Sequence, residues 1–153
     1  MQRTRLLSLK TVLLLGAAAA GAAATLAVAQ QPAPVPATAH AEVYLITPHN
    51  GAKVHGPVAV RFGLKGAGIA PAGVKFDNTG HHHLLVDTDL SELKLDAPMP
   101  STDKILHFGK GQTETELKLA PGPHTLQLIF ADYLHVPLSP TVASKKISIT
   151  VEK

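Results

Sequence analysis

Nine histidines stand in a chain of 153 residues that has no cysteine. Three of them are consecutive, in Gly80-His81-His82-His83-Leu84. On an extended strand, residues i and i+2 point to the same side. His81 and His83 therefore share a face, about 7 Å apart at Cβ, and their imidazoles can converge on one ion. The competing reading of the pair is the polar outer face of an edge strand. An ion normally needs a third or fourth ligand. His107, in LHFGKGQTE, and His135, in ADYLHVP, can supply it, because each follows or ends an apolar strand where loops meet. Glu114 and Asp132 are candidates to ligate or to orient those rings from behind, whereas Glu116 reads as a solvated surface charge. His82 points the other way from its neighbours, in phase with Leu84 and Val86. It reads as a core-facing histidine whose ring nitrogens bond to backbone and which supports the site from inside. His40, His49, His55 and His124 fall in linker or turns and read as outside the ligand set.

The donor chemistry narrows the metal. Imidazoles with oxygen partners suit zinc, copper(II) or nickel, and not calcium or magnesium. Without cysteine there are no disulfides, zinc ribbons, iron–sulfur clusters, thioether-linked haem, blue-copper centres or lipidated cysteine. Copper(I) storage would call for more methionine than Met1 and Met99. No Gly-x-Ser-x-Gly elbow and no phosphate-loop motif occurs. Gly109-Lys110-Gly111 lies between strand-like segments, so it reads as a hairpin turn. A metal-dependent hydrolase would need an open coordination position and a general base such as Glu114.

These side chains have to be carried by strands. Pro and Gly recur about every ten residues, and no segment sustains a helical period. A period of two, apolar against polar, runs through Val58–Leu64, His81–Asp87, Glu114–Leu119, Thr125–Phe130 and Lys146–Val151. Val43–Thr47 is a further short apolar run, ended by Pro48. That makes six strands, or seven with Ile105–Phe108. The expected fold is all-β, an immunoglobulin-like antiparallel sandwich of six to seven strands. Leu90–Leu95 is the one helical competitor, one or two turns at most, closed by Pro98 and Pro100.

The formal charge is +3, but Arg3, Arg5 and Lys10 carry it all. Without those three, basic and acidic residues balance at eleven each, and no clustered basic surface invites nucleic acid. The same three charges precede Thr11–Ala29, an uncharged stretch rich in Leu, Ala and Gly that ends Ala27-Val28-Ala29. That layout predicts a secretory signal peptide over 1–29, cleaved after Ala29, and a periplasmic or secreted protein. An uncleaved anchor is the rival reading, and the only route to a membrane. Residues 30–41, QQPAPVPATAHA, read as a Pro/Ala-rich linker. Residues 42–153 form the sandwich domain.

The segments NTGHHHLLVD, LHFGKGQTETEL, PGPHTLQLIFAD and HVP, in this order and spacing, resemble the bacterial domain-of-unknown-function 4399 family. The resemblance covers 43–151 and implies a small exported β-sandwich with no established reaction. It places the family's signature histidines on His81, His82, His83 and His107. Relatives often read Asp-His-Asn-His-Val-Pro-His near the end of the domain. Here Asp132, His135, Val136 and Pro137 are kept, but Tyr133 and Leu138 replace the outer histidines. The sequence therefore points to a non-enzymatic exported module that takes copper(II) or zinc through His81, His83, His107 and His135. One alternative is a structural or interaction module, partnered by another periplasmic protein, whose histidines form a hydrogen-bonded network. The other is a metal hydrolase.

Overall fold

The computed structural model describes residues 40–153; the expected signal segment and most of the expected linker lie outside the described residues. Among the described residues ten strands form, in two sheets. The smaller sheet joins β1 (Glu42–Thr47), β3 (Val58–Lys65) and β7 (Glu114–Leu117) in the order β1-β3-β7. The larger runs β2-β10-β8-β5-β4, from β2 (Lys53–His55), β10 (Ile147–Glu152), β8 (Gly122–Ala131), β5 (Thr79–Val86) and β4 (Gly68–Ile69). Two more strands join it: β6 (Ile105–His107) pairs with β5, and β9 (Pro137–Ala143) pairs with β8. The architecture is an all-β sandwich. Among the described residues no helix is long and apolar enough to cross a membrane.

The period of two sets the core. Val58, Val60 and Phe62 of β3, with Val43 and Leu117, face Leu84 and Val86 of β5, Leu126, Leu128 and Phe130 of β8, and Ile147, Ile149 and Val151 of β10. The alternate residues of β5 and β8 do not face water. Leu85, Ile129 and Ala131 build a second apolar cluster with Met99 and Ile105, on which Leu90 and Leu93 pack. The segment after β5 thus roofs the outer face of the larger sheet. A 3-10 turn at Leu90–Glu92 anchors it, capped by Asp89, whose side chain takes the Ser91 amide while Glu92 takes the Asp89 amide. This is the only trace of the helical pattern at Leu90–Leu95.

All six expected strands form, five read from periodicity and β1 from its apolar run, as does the seventh at Ile105. Three others carry no period to read. β2 and β4 have three and two residues. β9 contains Pro137 and Pro140, which argue against a strand in sequence. Its pairing explains them. β9 bonds only to β8, with a break in register between Phe130 and Ala131, so it is an edge strand and a missing N–H is tolerated.

Leu128 is fully buried at the centre of this packing. Leu128→Ala is expected to cost about 2–5 kcal/mol, whereas Phe76→Ser, on a residue 72% exposed, stays within about 0.5 kcal/mol of the parent. Urea unfolding of the two variants checks both values.

Candidate metal centre

β5 is an interior strand. It is flanked along one edge by β8 and along the other by β4 and β6. His81, His82 and His83 are each no more than 1% exposed. This overturns the reading of His81 and His83 as the polar face of an edge strand, because the roof over the outer cluster closes their side as well. Antiparallel pairing with β6 sets His107 directly opposite His83, and facing residues on neighbouring strands share a side of the sheet.

His135 arrives by a different route. At the end of β8 the chain turns through Asp132–Val136. Oδ1 of Asp132 accepts from the amides of Leu134 and Val136 at 2.8 and 3.0 Å, and its carbonyl accepts from the His135 amide. His135 sits in the left-handed region at φ 68°, uncommon for a residue with a side chain. Its carbonyl accepts from the Met99 amide at 2.9 Å, which ties the turn to the roof.

Four imidazoles meet there. Ring centroids of His81 lie 5.0 Å from His83, 5.0 Å from His107 and 5.2 Å from His135. His107 and His135 are 4.6 Å apart. One ring atom from each of His81, His107 and His135 lies within 4.8 Å of the others, close enough for the three to hold a metal ion. His83 is 6.1 Å from His135 between centroids, and its Nε2 is 3.2 Å from Nε2 of His81. That is the one hydrogen bond made by the four rings' buried nitrogens. Nδ1 of His81, His83 and His135 and Nε2 of His107 are buried without a partner. Buried polar atoms are normally satisfied, so a cluster of rings in which each keeps a buried nitrogen without a partner calls for an occupant.

Burial drives the electrostatics. Desolvation, then the neighbouring imidazoles, pulls His81 from 6.5 to about 4 and His83 to about 2. Desolvation and then His135 lower His107 as well. His81, His83 and His107 are therefore held toward the neutral form, which is the form that ligates.

His82 faces the inter-sheet core as its register predicts, with its ring 5.2 Å from Phe62 and 5.6 Å from Phe130. The expected bonds from its nitrogens to backbone do not form: neither nitrogen has a partner. Burial lowers it to about 4, and the nearby Gln112 backbone, though not in hydrogen-bond geometry with either nitrogen, works in the opposite direction. It lies on the opposite face of β5 from the cluster, so it orients no ligand. Asp132 holds the turn that carries His135 rather than any ring. Glu114 is exposed on β7, in the other sheet, and pairs with Arg61 at 3.1 Å. Glu116 is exposed too. Of the remaining histidines, His124 bonds Asp87 at 2.7 Å and the Ala120 carbonyl at 2.8 Å. His55 meets Glu152 at 3.1 Å on the surface.

Gly109 is a residue of the site that the sequence reading assigned only to a turn. A Cβ there would overlap Nε2 of His107. Its carbonyl also accepts from the Ala72 amide at 2.8 Å, while the Gly73 amide donates to Tyr133. One loop thus clasps both histidine-bearing turns. The Gly two residues after His107 was visible in sequence, but its reason lies in the ring packed against it.

The fold and the centre define a small β-sandwich with a buried imidazole cluster roofed on one side of its larger sheet. By its match over residues 60–152 to the family described as domain of unknown function (DUF4399), the chain belongs to that family. No curated protein matches the chain. Among solved structures, the endo-beta-1,4-mannanase from Thermotoga petrophila is similar at 18% identity and a TM-score of 0.44, over 74% of this chain and 20% of that one. This chain therefore spans about a fifth of that protein, and so weak a likeness carries no function across.

Two outcomes follow for the metal-free protein. The pKa values of His81, His82 and His83 lie below the unfolded value of 6.5, so between those values the unfolded chain binds more protons. Stability is then complete above about pH 6.5 and falls as the pH drops toward 4, with each proton contributing about 1.4 kcal/mol per pH unit. Thermal melts from pH 8 to pH 4 measure the slope. His82→Leu, which removes two unpartnered nitrogens from an apolar site, leaves stability unchanged or raises it by about 1 kcal/mol, and flattens that slope in the same melts.

Proposed function

We propose that this protein is an exported, non-enzymatic binding module that takes one divalent transition metal, copper(II) or zinc, on its imidazole cluster. The observation that carries the reading is the convergence of His81, His107 and His135, from a central strand, its neighbour and a distant turn, with ring atoms within 4.8 Å of one another. Ligands about 2.0–2.1 Å from a tetrahedral ion stand about 3.3 Å apart, so closing by up to about 1.5 Å through side-chain torsions completes the site. Rings with buried, unpartnered nitrogens favour the same occupant. The donor set is nitrogen throughout, which selects zinc and copper(II) over hard cations.

Export rests on the charged, then uncharged, leader over 1–29. The hydrogen-bonded-network alternative has a single ring-to-ring bond in its favour. Against hydrolysis, Glu114 stands in the other sheet and is paired with Arg61, so the carboxylate named as general base is not aimed at the cluster. Buffering or delivery of the ion is the role that fits a site without such a base.

Calorimetric titration of the full chain with copper(II) and with zinc tests the proposal. The expected result is one ion per chain, with affinity reduced at least tenfold by His107→Ala and by His135→Ala and unaltered by His55→Ala. A bound ion at a hundred times its dissociation constant adds about 2.7 kcal/mol to stability. Equal, weak binding by all four proteins would sink the proposal.

A further inference from the structure

Resting on that reading, we propose that His83 is a positioning residue rather than a ligand, and that the ion on His81, His107 and His135 keeps a fourth position for a small exogenous monoanion. Three observations support this assignment. First, His83 stands outside the converging triad, farthest from His135. Second, its Nε2 faces Nε2 of His81 at 3.2 Å, and only one of the two can carry a proton. With the proton on His81, that ring donates to His83 and leaves its own lone pair on Nδ1, the atom without a partner. Metal-bound imidazoles characteristically donate their second N–H in this way, which fixes the tautomer and raises the basicity of the ligating nitrogen. His83 supplies the acceptor that a carboxylate or carbonyl supplies elsewhere.

The third observation is charge. A divalent ion on three neutral imidazoles brings two positive charges into a buried place, and uncompensated buried charge is costly. No carboxylate balances it. Asp132 turns Oδ1 to the amides of Leu134 and Val136, and Glu114 is engaged by Arg61 across the smaller sheet. A monoanion bound directly to the ion halves the excess. His81 and His83 are sealed, while His107 and His135 are half-buried, so solvent reaches the cluster on the side of the latter pair.

The test loads the full chain with one equivalent of copper(II) and titrates sodium azide. It follows the azide-to-copper charge-transfer absorption and the nitrogen hyperfine pattern in electron paramagnetic resonance. The expected result is a saturable azide band on a three-nitrogen centre. His83→Gln keeps both signatures while its copper affinity falls by about 10–100-fold. His83→Phe does the same with a larger loss, and His83→Gln alone carries the test if the phenylalanine variant fails to fold. A four-nitrogen centre that azide does not touch, with three nitrogens and an azide band appearing only when His83 is replaced, makes His83 the fourth ligand. The inference then fails while copper binding stands. No copper bound by the parent protein ends both.

Discussion

The alternation of side chains along β5 is the constraint from which the rest follows. A strand with both faces buried cannot put two neighbouring residues on one side. Three consecutive histidines must therefore divide, His82 into the core between Phe62 and Phe130 and His81 with His83 beneath the roof. Shifting the register by one residue would send a single ring to the cluster and two into the apolar interior. The hydrophobic phase of Leu84 and Val86 against Leu126 and Leu128 forbids that slip, so the sandwich core fixes which histidines can meet.

Around that division the outer cluster does for the imidazoles what the main core does for the fold. Leu85, Ile129, Ala131, Met99 and Ile105 exclude water along the same face, and the desolvation that results is the first cause of the lowered pKa at His81 and His83. Met99 belongs to both functions, since its side chain packs the roof while its amide holds the His135 carbonyl. Neutral rings, low exposure and a fixed backbone have one origin, which is the segment laid over the larger sheet.

Much of this was legible in sequence where a side-chain period exists. The long strands follow from alternation, and His81 and His83 on one face follow from it too. What sequence could not show was partnership. Nothing in the local pattern of β5 distinguishes an edge strand from an interior one, so the burial of its polar face came from β6 and the roof, which are distant or irregular. The tie from Asp132 to two amides is a local turn, yet a carboxylate near histidines reads first as a ligand or an orienting group. The unsatisfied ring of His82 and the overlap forbidden at Gly109 depend on neighbours that only the folded chain supplies. β9 was hidden for the opposite reason, because its prolines signal loop wherever a ladder of donors is assumed.

Those prolines have a bearing on how the molecule keeps to itself. A sheet border with every amide and carbonyl in place is a template onto which another polypeptide can add. Pro137 and Pro140 bring no N–H to β9, and its register against β8 breaks between Phe130 and Ala131. A second extended chain laid along it would find gaps instead of a repeating lattice. The border is thereby protected against self-templating growth without help from charged residues, in a domain whose basic and acidic side chains cancel and so lend little mutual repulsion between copies.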